Sequence, residues 1–140
     1  MTTPLSFEEA LPIHTVEEAR ERVFDLIGRA IRCQLWLMLL DGSGRQLPIL
    51  IPIEDIPLRP EPGEMTPLAA GIGAMLAQNA PGGSVVLALE RPGSADLTAP
   101  DQAWARELTA AFGKIMTITG MFVSHDEGVS VLADGLTSPR

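Results

Sequence analysis

Residues 33–40 read CQLWLMLL, and both alternate sets along this stretch are apolar: Cys33, Leu35, Leu37 and Leu39 on one side, Trp36, Met38 and Leu40 on the other. Successive side chains of a strand point to opposite faces. A strand apolar on both faces is normally central and covered by helices on each side. Cys33 heads this strand, so its expected state is a buried, inert thiol.

The flanking segments agree with a layered arrangement. Thr15 followed by Glu18 fits a capping box, in which hydroxyl and carboxylate each satisfy a free backbone N–H. Val16, Ala19, Val23, Leu26, Ile27 and Ala30 then recur at helical spacing, which predicts an amphipathic helix of about four turns. After the central strand, Asp41-Gly42-Ser43-Gly44 signals a turn into a second strand over 46–53. Leu47, Ile49, Ile51 and Ile53 share one of its faces. Pro48 and Pro52 fall on the other, and because proline donates nothing to a ladder, this strand belongs at an edge. Residues 54–65 form a proline-punctuated acidic loop. Thr66-Pro67 opens a second helix, with threonine as cap and proline at the first helical position. Residues 84–89 make a third strand, and Thr98 caps a third helix carrying Trp104, Leu108, Ala111, Phe112 and Ile115. Residues 117–123 and 129–132 complete a hairpin around Asp126-Glu127-Gly128.

The order α-β-β-α-β-α-β-β predicts a single three-layer α/β domain over 15–133, with a mixed central sheet flanked by helices. Residues 1–14 are expected to be a partly ordered arm, and 134–140 a frayed tail. A chain of 140 residues, 46% hydrophobic, has enough core for one domain. No apolar run approaches the roughly 20 residues that span a bilayer, and the first residues lack the pattern of a secretion signal. The expectation is a protein without membrane contact. The one cysteine excludes an intrachain disulfide and makes a cytoplasmic setting the default. A net charge of −8 argues against nucleic acid as a partner.

Little in the sequence looks catalytic. Ser124, His125 and Asp126 are adjacent, so on a strand they face opposite ways and form no triad. The two histidines, His14 and His125, lie at opposite ends of the chain, which leaves a zinc site short of its three protein ligands unless the fold joins them to Asp101 or Asp126. Gly71 and Gly73 fall inside a helix and not before one, where a phosphate cradle would need them. Glu90, Asp96 and Asp101 gather around one loop, where two carboxylates could act as acid and base. Glu90 with Arg91 reads equally as a solvated ion pair, and Asp101 as the third residue of a helix cap on Thr98. The cap alone would make Asp101→Ala cost about 0.5–2 kcal/mol.

The element order and the segment SVVLALERPGSADLTAPD over 84–101 resemble the JAB/MPN fold, most closely the RadC-like JAB domains of bacteria. That resemblance implies a cytidine-deaminase-like layered sheet. It also implies a His-x-His-Pro-Ser-Gly segment after the third strand, an aspartate about ten residues later completing a zinc site, and a water-polarising glutamate on an earlier strand. Here Leu89 and Arg91 replace both histidines, Pro92 is kept, and Asp101 stands at the aspartate. Leucine cannot ligate, and arginine is a permanent cation that repels a metal. Glu54 is a loose counterpart of the glutamate.

The expectation is therefore a non-catalytic JAB-like domain without cofactor or metal. It would serve as a protein-binding or scaffolding module, with Glu90, Arg91, Pro92 and Asp101 as a vestigial or ligand site. The arm and loop bearing Leu50, Ile56 and Leu58 would contribute to a homodimer or partner interface, or equally the loop would fold back over its own core. Two rivals stand beside it: a hydrolase with a displaced site among Glu90, Asp96, Asp101 and His125, and a small-molecule or anion-binding domain using Arg91 and the loop 92–95.

Overall fold

The computed structural model describes residues 12–133. Its elements run α1 (Val16–Leu26), β1 (Gln34–Leu40), β2 (Gln46–Glu54), α2 (Thr66–Asn79), β3 (Ser84–Glu90), α3 (Ala99–Phe112), β4 (Thr117–His125) and β5 (Gly128–Ala133), in the order read from the sequence. The five strands form one mixed sheet ordered β2-β1-β3-β4-β5. Only β3 and β4 are parallel, and α3 makes the crossover that a parallel pair requires. The other neighbours are antiparallel.

The double-sided apolar pattern of β1 does what it implied. Leu35, Leu37 and Leu39 pack with Leu87 and Val123 under α2 and α3, which contribute Ile72, Leu76, Trp104 and Leu108. Met38, Leu40, Val86, Ala88 and Phe122 pack on the opposite face against Ala19 and Val23 of α1. The molecule is thus an α/β/α sandwich with two hydrophobic layers, and burying side chains of this size supplies most of its stability.

Helix boundaries depart from the expectation in three places. The Thr15–Glu18 capping box forms as read, but α1 has 11 residues and stops at Leu26. Gly28 takes φ 73°, a left-handed conformation that ends the helix. The helix is about three turns long, not four, and Leu26, its last residue, is exposed. At α2 the cap is Met65, which makes no side-chain cap bond, and Thr66 is already helical. Ile115 lies beyond the end of α3 and is exposed.

The edge position of β2 is as Pro48 and Pro52 required. Leu47, Ile51 and Ile53 face the α2–α3 layer, but Ile49 is exposed. The ladder slips here, pairing Met38 with Leu50 and Leu40 with Gln46, so alternation along β2 is broken before Leu50. Cys33 is exposed, contrary to expectation, because the strand starts one residue later at Gln34.

Of the arm set at 1–14, residues 1–11 lie outside the described range, as does the tail 134–140. Ile13 is buried in the α1 layer and its N–H donates to the Gly44 carbonyl at 2.8 Å.

The acidic loop after β2 folds back onto α3. The Trp104 indole N–H lies 3.2 Å from the Pro57 carbonyl and 3.1 Å from that of Leu58. The Glu107 carboxylate accepts from the N–H groups of Gly63 (3.1 Å) and Met65 (2.9 Å). Of the three candidate interface residues, Leu50 is half-buried against the α1 layer and Ile56 against the α2–α3 layer. Leu58 is 75% exposed.

Trp104 therefore has two separable roles. Trp104→Ala is expected to lower unfolding free energy in urea by about 3–5 kcal/mol, through lost packing. Trp104→Phe keeps much of the ring contact and loses the hydrogen bonds, so its cost should be about 1–2 kcal/mol. Hydrogen exchange in Trp104→Phe should accelerate at residues 58–65 and not in the sheet.

Candidate functional site

One end of the sheet collects the chemistry. Glu90, the last residue of β3, pairs with Gln34 at the start of β1 and with Ser124 near the end of β4. Because β1 runs against β3, the beginning of one and the end of the other lie level. The loop 91–98 and the start of α3 close over this row. Two backbone bonds pin that loop to β4: Arg91 N–H to the Ser124 carbonyl and Asp126 N–H to the Gly93 carbonyl, both 3.0 Å.

Glu90 is buried, with 3% exposure. One carboxylate oxygen accepts from the N–H groups of Ile31 (2.6 Å) and Arg32 (3.1 Å), and the other from Gln34 Nε2 (2.7 Å) and Trp36 Nε1 (2.9 Å). Burial pushes its pKa up, but the donors from Trp36, Ile31, Gln34 and Arg32 outweigh that and hold it below the ordinary value. The group is charged and fully engaged, which removes it as an acid or base. It clasps residues 31–36 to β3. The Glu90–Arg91 ion pair, one of the two readings offered for these residues, does not form, since successive residues face opposite sides of the sheet.

Arg91 instead meets Asp101. Its Nε lies 3.2 Å from Oδ1 and its Nη2 2.7 Å from Oδ2, a bidentate pair. The same guanidinium donates to the carbonyls of Ser94 (2.5 Å) and Asp96 (2.9 Å). Asp101 also completes the capping box read from the sequence: its carboxylate accepts from Thr98 N–H, and its own N–H donates to Thr98 Oγ1. Its side chain is 2% exposed. Burial raises its pKa, and the hydrogen bonds and charge of Arg91, with the Thr98 N–H, bring it below the ordinary value. The ion pair was missed in the sequence because only the cap has a fixed local spacing.

His125 belongs to the β4–β5 turn. Its Nδ1 accepts from Glu127 N–H at 3.1 Å, which leaves the proton on Nε2, 2.8 Å from Ser130 Oγ. Burial, then the charge of Arg91, lower its pKa. Ser124 turns the other way and donates to the Gly28 carbonyl, so no triad forms. The fold does not join the two histidines. His14 packs beside Gly44, after the end of β1 opposite to Glu90. Among the described residues, no group of three or more His, Cys, Asp or Glu side chains could hold a metal ion. The proposed displaced set of Glu90, Asp96, Asp101 and His125 shares one end of the sheet, but its buried carboxylates are occupied by other partners.

Beneath the loop 91–98 lies a cavity of about 450 Å³. Leu89, Arg91, Pro92 and Asp101 line it, together with Trp104, Cys33 and residues 56–58 from the loop after β2. Sequence reasoning found the β3 side of this site and missed Trp104 and Cys33 as its walls. Ile56 and Leu58, the candidate interface residues, also border the cavity.

Two stability measurements follow. Because Asp101 also pairs with the part-buried Arg91 guanidinium, Asp101→Ala should cost more than the cap-only figure of about 0.5–2 kcal/mol. The Arg91→Ala and Asp101→Ala effects should be strongly non-additive in a double-mutant cycle. For His125, the depressed folded-state pKa means that the unfolded chain takes up the proton first. Stability should fall as pH drops below about 6.5, and this slope should be absent in His125→Gln. The Asp101 contribution is lost in a separate window, as pH falls below its ordinary value of 3.8. Comparison with family models, with curated proteins and with solved structures finds no match to this chain.

Proposed function

We propose that this chain is a non-catalytic JAB-like domain that acts through its surfaces, as a protein-binding or scaffolding module. The observation that carries the reading is the Arg91–Asp101 pair. The resemblance puts zinc ligands at positions 89, 91 and 101, and those three residues do line one cavity. There, Leu89 contributes hydrocarbon, and the Arg91 guanidinium supplies the positive charge that the buried carboxylate needs. Glu54, the loose counterpart of the water-polarising glutamate, is exposed at the end of β2.

The rival readings have less support. A hydrolase would need a free buried carboxylate, and Glu90 and Asp101 are both saturated with donors. An anion site on Arg91 would have to compete with Asp101 and with the carbonyls of Ser94 and Asp96. No helix among the described residues is long and apolar enough to cross a membrane. A cytoplasmic placement is part of the proposal and rests on the single cysteine.

Metal analysis tests the reading. Wild type should purify without stoichiometric zinc and leave peptide and isopeptide bonds intact. The double variant Leu89→His with Arg91→His, refolded with zinc, should take up about one equivalent, because it restores three ligands around an open position. Wild type carrying about one equivalent of zinc, lost together with a peptidase activity on chelation, would overturn the proposal.

A further inference from the structure

We infer that the cavity between β3, α3 and the loop after β2 is a binding site for a small, uncharged, largely hydrocarbon ligand. This stands apart from the vestigial-site reading, since it concerns what the walls recognise and not what chemistry was lost.

Three observations carry it. The volume, about 450 Å³, falls within the range of small-molecule sites. The walls from Leu89, Ile56, Leu58, Pro92 and the Trp104 ring are apolar, and the one polar atom of Trp104 is engaged by the carbonyls of Pro57 and Leu58. The charged groups that reach the cavity already hold their hydrogen-bond partners within the protein. Arg91 and Asp101 neutralise each other, and Glu90 is engaged by Gln34, Trp36 and two backbone N–H groups. A charged ligand would shed water on entering. An anion would meet no unpaired cation, and a cation would meet only Glu90, whose oxygens are already taken by four donors. Either ion is thus desolvated without a free partner. A neutral one loses little and gains contact with the walls.

The anchoring of the loop adds to this. Residues 57 and 58 are tied to α3 through the Trp104 indole, and residues 63 and 65 through Glu107. The far wall is held in place before any ligand arrives, which lowers the ordering cost of binding.

Three probes of one shape and different charge test the inference: naphthyl methanol, naphthoate and naphthylmethylammonium, followed by NMR at the Trp104 indole and the amides of Cys33, Leu58 and Arg91. Naphthyl methanol should bind saturably with shifts confined to these residues, and both ions about tenfold or more weaker. Cys33 and Leu58 are exposed, so substitution there spares the core. Cys33→Phe should fill the cavity, and Leu58→Asp should put a charge at its mouth. Each should weaken naphthyl methanol binding by about tenfold with an unchanged melting temperature. Absence of saturation, equal affinity for the three probes, or unchanged affinity in both variants would overturn the inference. None of these outcomes bears on the zinc measurement.

Discussion

The Glu90 carboxylate is the tie on which the functional end of the molecule depends. It is a buried charge with no cation against it, held by two backbone N–H groups, an amide and an indole. Such a group is tolerable only when every lone pair finds a donor. Here the donors all come from residues 31–36, the segment that brings the chain from α1 into β1. The bond set therefore fixes where β1 starts and holds its approach against β3. It also leaves Arg91, the next residue, facing the opposite layer, where Asp101 is within reach.

The two carboxylates divide the work between the two faces of the sheet. Glu90 organises the α1 side through neutral donors, and Asp101 organises the α3 side through a cation and a helix cap. Both are charged, and both are buried by the elements they join. A carboxylate acting as an acid or base needs a proton that can come and go near neutral pH. Both of these are held below their ordinary pKa by donors from within the protein.

Much of the architecture was legible in the sequence because its signals are local. The two apolar faces of β1, the prolines of β2 and the threonine caps at residues 15 and 98 each specify structure within a few residues. The misreadings have local causes too. The stripe of α1 continues past Val23, but a left-handed turn at Gly28 overrides it, and β1 begins one residue after Cys33. The site was less legible because its contacts span the chain. Arg91 and Asp101 are ten residues apart across an irregular loop, and Trp104 meets the carbonyls of Pro57 and Leu58 from a distant helix. No periodicity encodes such pairings. Position 101 was found through its cap spacing, and its second partner followed only from the folded geometry.

The double duty of Asp101 shapes how this sequence can change over time. Replacing Arg91 alone leaves a buried carboxylate without its cation beside the start of α3, and replacing Asp101 alone takes the carboxylate from Arg91 and removes a cap. Either single step passes through a damaged fold, while the paired state is self-sufficient. A lineage carrying this pair would lose stability at either single step, so a change at one position favours a compensating change at the other. The ion pair then acts as a ratchet on the history of the domain, leaving its outer surfaces and loops as the parts free to diversify.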